Sequence, residues 1–76
     1  MPRYRIRITN REFESCSDAN ASDHEGVVSE ALRSALQIGI DDVCKGKAFF
    51  GAEVAIENEH EAIERLVVAI GMSPLL

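Results

Sequence analysis

The sequence predicts an α+β fold of two layers, in which an antiparallel sheet of about four strands carries one long helix on one face. Three observations predict it. A stretch near the N-terminus alternates apolar and charged residues, a central stretch has the spacing of an amphipathic helix, and two more strand-like stretches follow it. The element order is therefore β-β-α-β-β. A chain of 76 residues is expected to form one small domain, residues 1–76.

The first strand has the clearest pattern. Residues 3–9 alternate strictly, which is the period of a strand with one buried face. The apolar members, which we expect beneath the helix, are Tyr4, Ile6 and Ile8. The members on the opposite face are Arg3, Arg5 and Arg7. A slip of one residue would bury the arginines instead, so the orientation of this strand is fixed.

A weak second strand and a loop are expected to follow. Asn10-Arg11 supplies a turn, and Glu12–Cys16 returns as a short strand with Phe13 facing inward. The residues Ser17–Ala21 are small and polar, which is typical of a loop.

Residues Ser22–Gly46 predict a single amphipathic helix. Ser22 with Glu25 fits a capping box, and Asp23 is an equally good N-cap. Gly46 after Lys45 has the usual pattern of a helix C-terminus. The spacing predicts a buried face that consists of Val28, Leu32, Ala35, Leu36, Gly39 and Val43.

Gly39 is the weak point of this helix, because a glycine inside a helix costs about 1 kcal/mol relative to alanine. The apolar spacing is unbroken on both sides of it. We therefore expect a continuous helix that a strand approaches closely at Gly39.

The second half of the chain predicts a hairpin. Lys47–Gly51 is read as a connector, in which at least one of Phe49 and Phe50 fills the gap between helix and sheet. The expected strands are residues 52–57 and residues 63–70 or 64–70, joined by a polar turn at residues 58–61. Residues 71–76 form a flexible or docking tail, with an apolar end.

The chain resembles a family of short bacterial proteins of unknown function. The resemblance rests on the opening Met-Pro-Arg-Tyr, the first hairpin, the segment Glu30–Ala35 and the closing strand–turn–strand. It spans the whole chain and departs at Ser17–Ser22, where the family has a more acidic turn with Gly and Pro. The resemblance implies the β-β-α-β-β order and implies no activity.

Composition narrows the functional classes. The net charge is −5, which disfavours bulk binding of nucleic acid, although the first strand is locally basic. No apolar stretch is long enough to span a membrane, and no secretory signal is visible. The two cysteines, Cys16 and Cys44, have no pairing motif and are expected to be reduced, unbonded and cytoplasmic. Cys44 is expected to be buried or half-buried.

No catalytic, cofactor-binding or metal-binding residue is predicted, and no small-molecule substrate is evident. His24 lacks a ligand one helical turn away, and the acids around His60 suggest a solvated turn. Asp41 and Asp42 are adjacent on a helix, so their carboxylates diverge and do not form a catalytic pair. Cys44 has no visible base or oxyanion site. An enzyme is the least favoured class.

The face of the sheet opposite the helix is the expected interaction face. Its members are Arg3, Arg5, Arg7, Glu53, Glu57, Arg65 and Val67. The first hypothesis is a protein-interaction module that self-associates, as a homodimer, through this face or a strand edge. The alternative is a nucleic-acid-associated regulator whose arginine strand follows phosphates. We predict at least one Arg–Glu contact on this face. Arginines far from any acid would favour the alternative.

Overall fold

The computed structural model describes residues 3–59, 61–73 and 75 of the chain, and it has the predicted fold class. Four antiparallel strands form one sheet, and a single long helix packs on one face of it. The elements are β1 (Arg3–Thr9), β2 (Glu14–Asn20), α1 (His24–Cys44), β3 (Phe49–Glu57) and β4 (Ala62–Gly71). The strand order is β2-β1-β3-β4, so β2 and β4 are the edges.

Strand β1 pairs with both of its neighbours and has the predicted orientation. Ile6 lies opposite Ile56, and Ile8 lies opposite Val54, all on the helix side of the sheet. These four side chains are at most 2% exposed and form the centre of the core. The alternation that the sequence predicts for β1 therefore holds, and the arginines lie on the other face.

Strand β2 begins at Glu14 rather than at Glu12 and continues to Asn20, which corrects the prediction of a loop at Ser17–Ala21. It pairs with β1 along the full length of both strands, from Thr9↔Glu14 to Arg3↔Asn20. Ala19 and Ala21 are buried in the core. The residues of β2 have little intrinsic preference for a strand. Their extended conformation is therefore determined by hydrogen bonding to β1.

Both helix ends are capped. Asp23 is the N-cap, and its carboxylate accepts a hydrogen bond of 2.7 Å from the Gly26 N–H. The capping box at Ser22 does not form. At the other end Gly46 has a φ of +110°, a conformation that favours glycine. The Gly46 N–H donates to the Val43 carbonyl and the Lys47 N–H to the Asp42 carbonyl, which is a Schellman motif.

The helix packs through small residues. Its buried positions are spaced four residues apart and are Val27, Ala31, Ala35 and Gly39. Leu36, which we expected in the buried face, is 42% exposed, and Ile40 is 56% exposed. The small side chains allow α1 to lie close to β3 and β4, and this shifts the larger Leu36 to the flank of the contact.

Gly39 lies inside one continuous helix, as predicted. A Cβ atom at Gly39 would lie 2.6 Å from Cδ1 of Ile70 and 2.7 Å from Cδ2 of Phe50. The close approach is made by side chains of β4 and β3, whereas we expected a strand to come near. The absence of a side chain at this position is therefore required by packing.

Phe50 is the phenylalanine that fills the gap at the end of the helix. It is 2% exposed, and its ring stacks on Phe13 with a centroid separation of 6.5 Å. Phe49 is 65% exposed on the other face. Strand β3 therefore begins at Phe49 rather than at Ala52, because the alternation continues through both phenylalanines.

The closing hairpin has the predicted turn and a longer last strand. The Asn58 N–H donates to the Glu61 carbonyl, and the Glu61 N–H donates to Oδ1 of Asn58. Beyond β4 the Met72 N–H donates to the Ala48 carbonyl. In the predicted tail, Leu75 is 98% exposed. The predictions for Met1, Pro2, His60, Pro74 and Leu76 lie outside the described residues.

Both cysteines are free, as predicted, and both are exposed. The expectation that Cys44 is buried or half-buried is wrong, because Cys44 lies on the face of the helix away from the small-residue seam. Within the described residues, no helix combines the length and apolar character that crossing a membrane requires.

Substituting Gly39 by alanine is expected to destabilise the protein, although alanine favours the helix by about 1 kcal/mol. The new Cβ would overlap the ring of Phe50 and the end of Ile70. Gly39→Leu should cost more, on the order of 1–3 kcal/mol. Denaturant unfolding measures both. In an Ile70→Val background the alanine penalty should shrink, and a stabilised Gly39→Ala variant would contradict this packing.

The ion pairs of Lys47 are expected to contribute to stability in a way that depends on alkaline pH. Its ammonium contacts Glu12 and lies 3.7 Å from Asp42, which links the helix end to the β1–β2 turn. The hydrogen bond to Glu12, with the attraction of both carboxylates, raises the Lys47 pKa above its ordinary value of 10.5. The stabilisation is therefore complete below pH 10.5 and is lost as the pH rises through the raised pKa.

Unfolding measured between about pH 9 and 12 tests this. The stability difference between the native protein and Lys47→Met should be constant up to about pH 10 and should shrink above it. Lys45→Met is the matched control, because no ion pair of the described residues includes Lys45. Equal alkaline profiles for all three proteins would show that the Lys47 contacts are not a source of stability.

Candidate interaction face

The outer face of the sheet, opposite α1, brings together all seven residues of the predicted interaction face. The pairing register places Arg5 opposite Glu57, and Ala55 lies between Arg7 on β1 and Arg65 on β4. Glu53 lies opposite Val67. Because residues that face each other across strands share a side of the sheet, these side chains form one surface.

Every arginine on this surface has an acidic partner in the same chain. Arg7 lies 3.2 Å from Glu57, and Arg65 donates from Nε to Glu53 at 2.8 Å. The predicted Arg–Glu contact is therefore confirmed twice. The hypothesis of a bare cationic strip fails for this chain.

Asp18 is the acidic partner of the two remaining arginines, a contact that the sequence does not predict. Its carboxylate lies 3.1 Å from Arg3 and 3.9 Å from Nε of Arg5. The sequence predicts a loop at Asp18, whereas Asp18 lies on β2 directly opposite Arg5. A faint signal was present: Glu14 and Asp18 are four residues apart, so both fall on one side of an extended strand.

The outer face is electrically neutral as a whole. Its four arginines are Arg3, Arg5, Arg7 and Arg65, and its four acids are Glu14, Asp18, Glu53 and Glu57. The four positive and four negative charges cancel, although the chain has a net charge of −5. The excess acid therefore lies elsewhere on the molecule.

The outer face is apolar along the C-terminal half of β4 and at the start of β3. Val67, opposite Glu53, is 80% exposed. The ring of Phe49, 65% exposed, lies over Gly51, where an added Cβ would meet the ring at 3.0 Å. Ala69 is also exposed and faces Gly51. The charged ladder thus gives way to small and apolar groups where β3 begins and β4 ends.

The remaining polar groups form no second site. Among the described residues, no cluster of three or more histidine, cysteine, aspartate or glutamate side chains is arranged to hold a metal. His24 lies on the surface with Nε2 3.2 Å from Oε2 of Glu64. A shallow concavity at the start of β1 is lined by Arg3, Arg5, Asp18 and Glu57, which are already paired.

Comparison with known proteins gives no relative: no family model, curated protein or solved structure matches the chain significantly. The resemblance to a family of short bacterial proteins stays a prediction. The outer face and the sheet edges are therefore the features from which a function is inferred.

Removal of one outer-face charge should leave the fold intact. Arg5 is 57% exposed at its side chain, and exposed ion pairs contribute at most about 1 kcal/mol. Arg5→Ala and Asp18→Asn should therefore each change the free energy of unfolding by less than about 1 kcal/mol. Thermal unfolding followed by circular dichroism measures this. A loss of several kcal/mol would mean that the ion pairs of the outer face are a main source of the stability of the sheet.

Proposed function

We propose that this protein is a small, non-enzymatic interaction module that works in the cytoplasm and self-associates as a homodimer. The observation that carries the proposal is the neutral, internally paired outer face, which no second layer of the described chain covers. A surface with equal numbers of both charges can approach a second copy of itself without net repulsion.

The exposed apolar groups support association with protein. Val67 and Phe49 are both more than half exposed and lie on the outer face, along β4 and at the start of β3. Burial of apolar surface of this kind contributes about 25 cal/mol per Å². A thin core also favours association, because a chain of 76 residues buries only about 60% of its unfolded surface.

The nucleic-acid alternative is less well supported. A strand that follows phosphates needs arginines free to exchange their counterions for phosphate oxygens. Here Arg3 and Arg5 share Asp18, and Arg7 contacts Glu57. A phosphate would have to displace these carboxylates and approach a protein of net charge −5.

Two measurements test the proposal. Sedimentation equilibrium from micromolar to millimolar protein should show a monomer–dimer equilibrium. Short duplex DNA or RNA at low salt should not bind the native protein. The variant Asp18→Asn, Glu57→Gln removes the two acids beside the arginine strand and should gain weak, salt-sensitive binding.

A monomer at every concentration would contradict self-association. Native binding to the duplexes that is lost in Arg5→Ala would support the regulator instead. Arg33→Ala is the matched control for this comparison, because Arg33 is an exposed arginine on the helix, remote from the outer face.

A further inference from the structure

We propose that the free edge of β4 is the dimer interface: two copies pair β4 with β4 in antiparallel fashion about a two-fold axis at Val67. The result is one sheet that continues through both copies, with the two helices on the same face. This inference rests on the proposed self-association and places its contact at the strand edge that borders the apolar part of the outer face, rather than on the charged part of that face.

The C-terminal part of strand β4 lacks the features that protect edge strands. Its last six residues, Leu66–Gly71, carry no charge and no proline. Edge strands of monomeric proteins usually carry charges, prolines or bulges that block pairing with another chain. Strand β2, the other edge, has the acids Glu14 and Asp18. On β4 the charged residues Glu64 and Arg65 and a register shift against β3 lie at the start of the strand. The C-terminal part of β4 is therefore the stretch of edge that is open to a partner strand.

The backbone of β4 presents its unpaired groups at suitable positions. The Met72 N–H donates to the Ala48 carbonyl, so the even-numbered residues from Leu66 onward direct their N–H and C=O groups at β3. The odd-numbered residues direct theirs at the free edge. Those residues are Arg65, Val67, Ala69 and Gly71.

A two-fold axis at Val67 matches these groups with a second copy. Val67 would pair with Val67 of the second copy, and Arg65 would pair with Ala69 of the second copy. Both partners in each pair direct their backbone groups outward, so each pair exchanges two hydrogen bonds. Val67 also lies near the middle of β4, so this register pairs the regular part of the strand, residues 64–70, with the same residues of the second copy.

Charge excludes the neighbouring register that is centred on Arg65. An axis at Arg65 would place two arginines directly opposite each other, and like charges in that position destabilise a sheet. With the axis at Val67, Arg65 faces the small, uncharged Ala69. Glu64, on the helix side, would face Ile70 of the second copy, so no like charges meet.

The helix adds an apolar flank to the same edge. β2, α1 and β3 form a crossover between parallel strands, and such crossovers are right-handed. In a right-handed crossover, side chains that are rotated by 60° and 100° from Gly39 about the helix axis point toward the β4 side of α1. These are Leu36 and Ile40, which are 42% and 56% exposed. In the paired dimer the two flanks would lie beside each other.

Val67→Pro is the first test. Proline removes an N–H that points to the free edge, and proline is tolerated on such edges. The variant should keep the native circular dichroism spectrum and sediment as a monomer. Val68→Pro is its control, because it removes a hydrogen bond to β3 and should disrupt the fold. If Val67→Pro does not fold, Val67→Lys is the second test, because it places two lysines opposite each other in the dimer. Its dimer dissociation constant is expected to rise about tenfold or more.

Ala69 tests the register through charge. Ala69→Glu places a carboxylate opposite Arg65 of the second copy, twice per dimer, and should tighten the dimer about 2- to 30-fold. Ala69→Lys is of similar size and should weaken it. Sedimentation equilibrium reports both dissociation constants. Equal shifts in the same direction would overturn the register.

A third variant separates failure of this inference from failure of the proposed function. Thr9→Lys adds a long side chain to the middle of the outer face, between Glu14 and Glu53, and leaves β4 unchanged. It should not affect the dimer. Suppose that Thr9→Lys disrupts the dimer, whereas both Val67 variants leave it intact. The contact would then lie on the outer face: the β4 interface would be wrong, but self-association would still be correct. A native monomer would refute both.

Discussion

The alternation of β1 is the constraint on which the rest of the structure depends. This strand pairs with β2 on one side and β3 on the other, so its orientation fixes which face of three strands is buried. The isoleucines of β1 meet the core of β3, and its arginines meet acids from both neighbours. A shift of one residue would bury unpaired guanidinium groups, at a cost of several kcal/mol for each.

The second constraint is the small size of the side chains through which α1 contacts the sheet. Ala31, Ala35 and Gly39 present little volume, so α1 lies close to β3 and β4 and barely reaches β1. The short and polar side chains of β2 need no helical cover, and Ala19 and Ala21 complete the core there. Leu36 and Ile40 are left exposed on the flank above β4. Close packing of the small residues against the sheet thus leaves an exposed apolar surface on the neighbouring flank of the helix.

Most of the fold was predictable because its periodic elements are strong. The alternation in β1, β3 and β4 and the caps of α1 are local signals, and they predict the element order and the arginine face. Strand β2 was only partly predictable, since its residues show no apolar alternation and its structure depends on pairing with β1. Asp18 was therefore missed as a partner of Arg3 and Arg5. The position of Leu36 was also wrong, because the spacing does not reveal that small residues form the seam.

Hydrogen exchange of individual backbone amides, measured by NMR at low and high protein concentration, tests the role of the β4 edge most directly. The amides of Arg65, Val67 and Ala69 should exchange rapidly in dilute protein and slow as the concentration rises. The amides of Cys16 and Asp18, which point away from β1 on the other edge, should exchange rapidly throughout. Concentration-dependent protection on β2 with none on β4, or no dependence on either edge, would contradict the account.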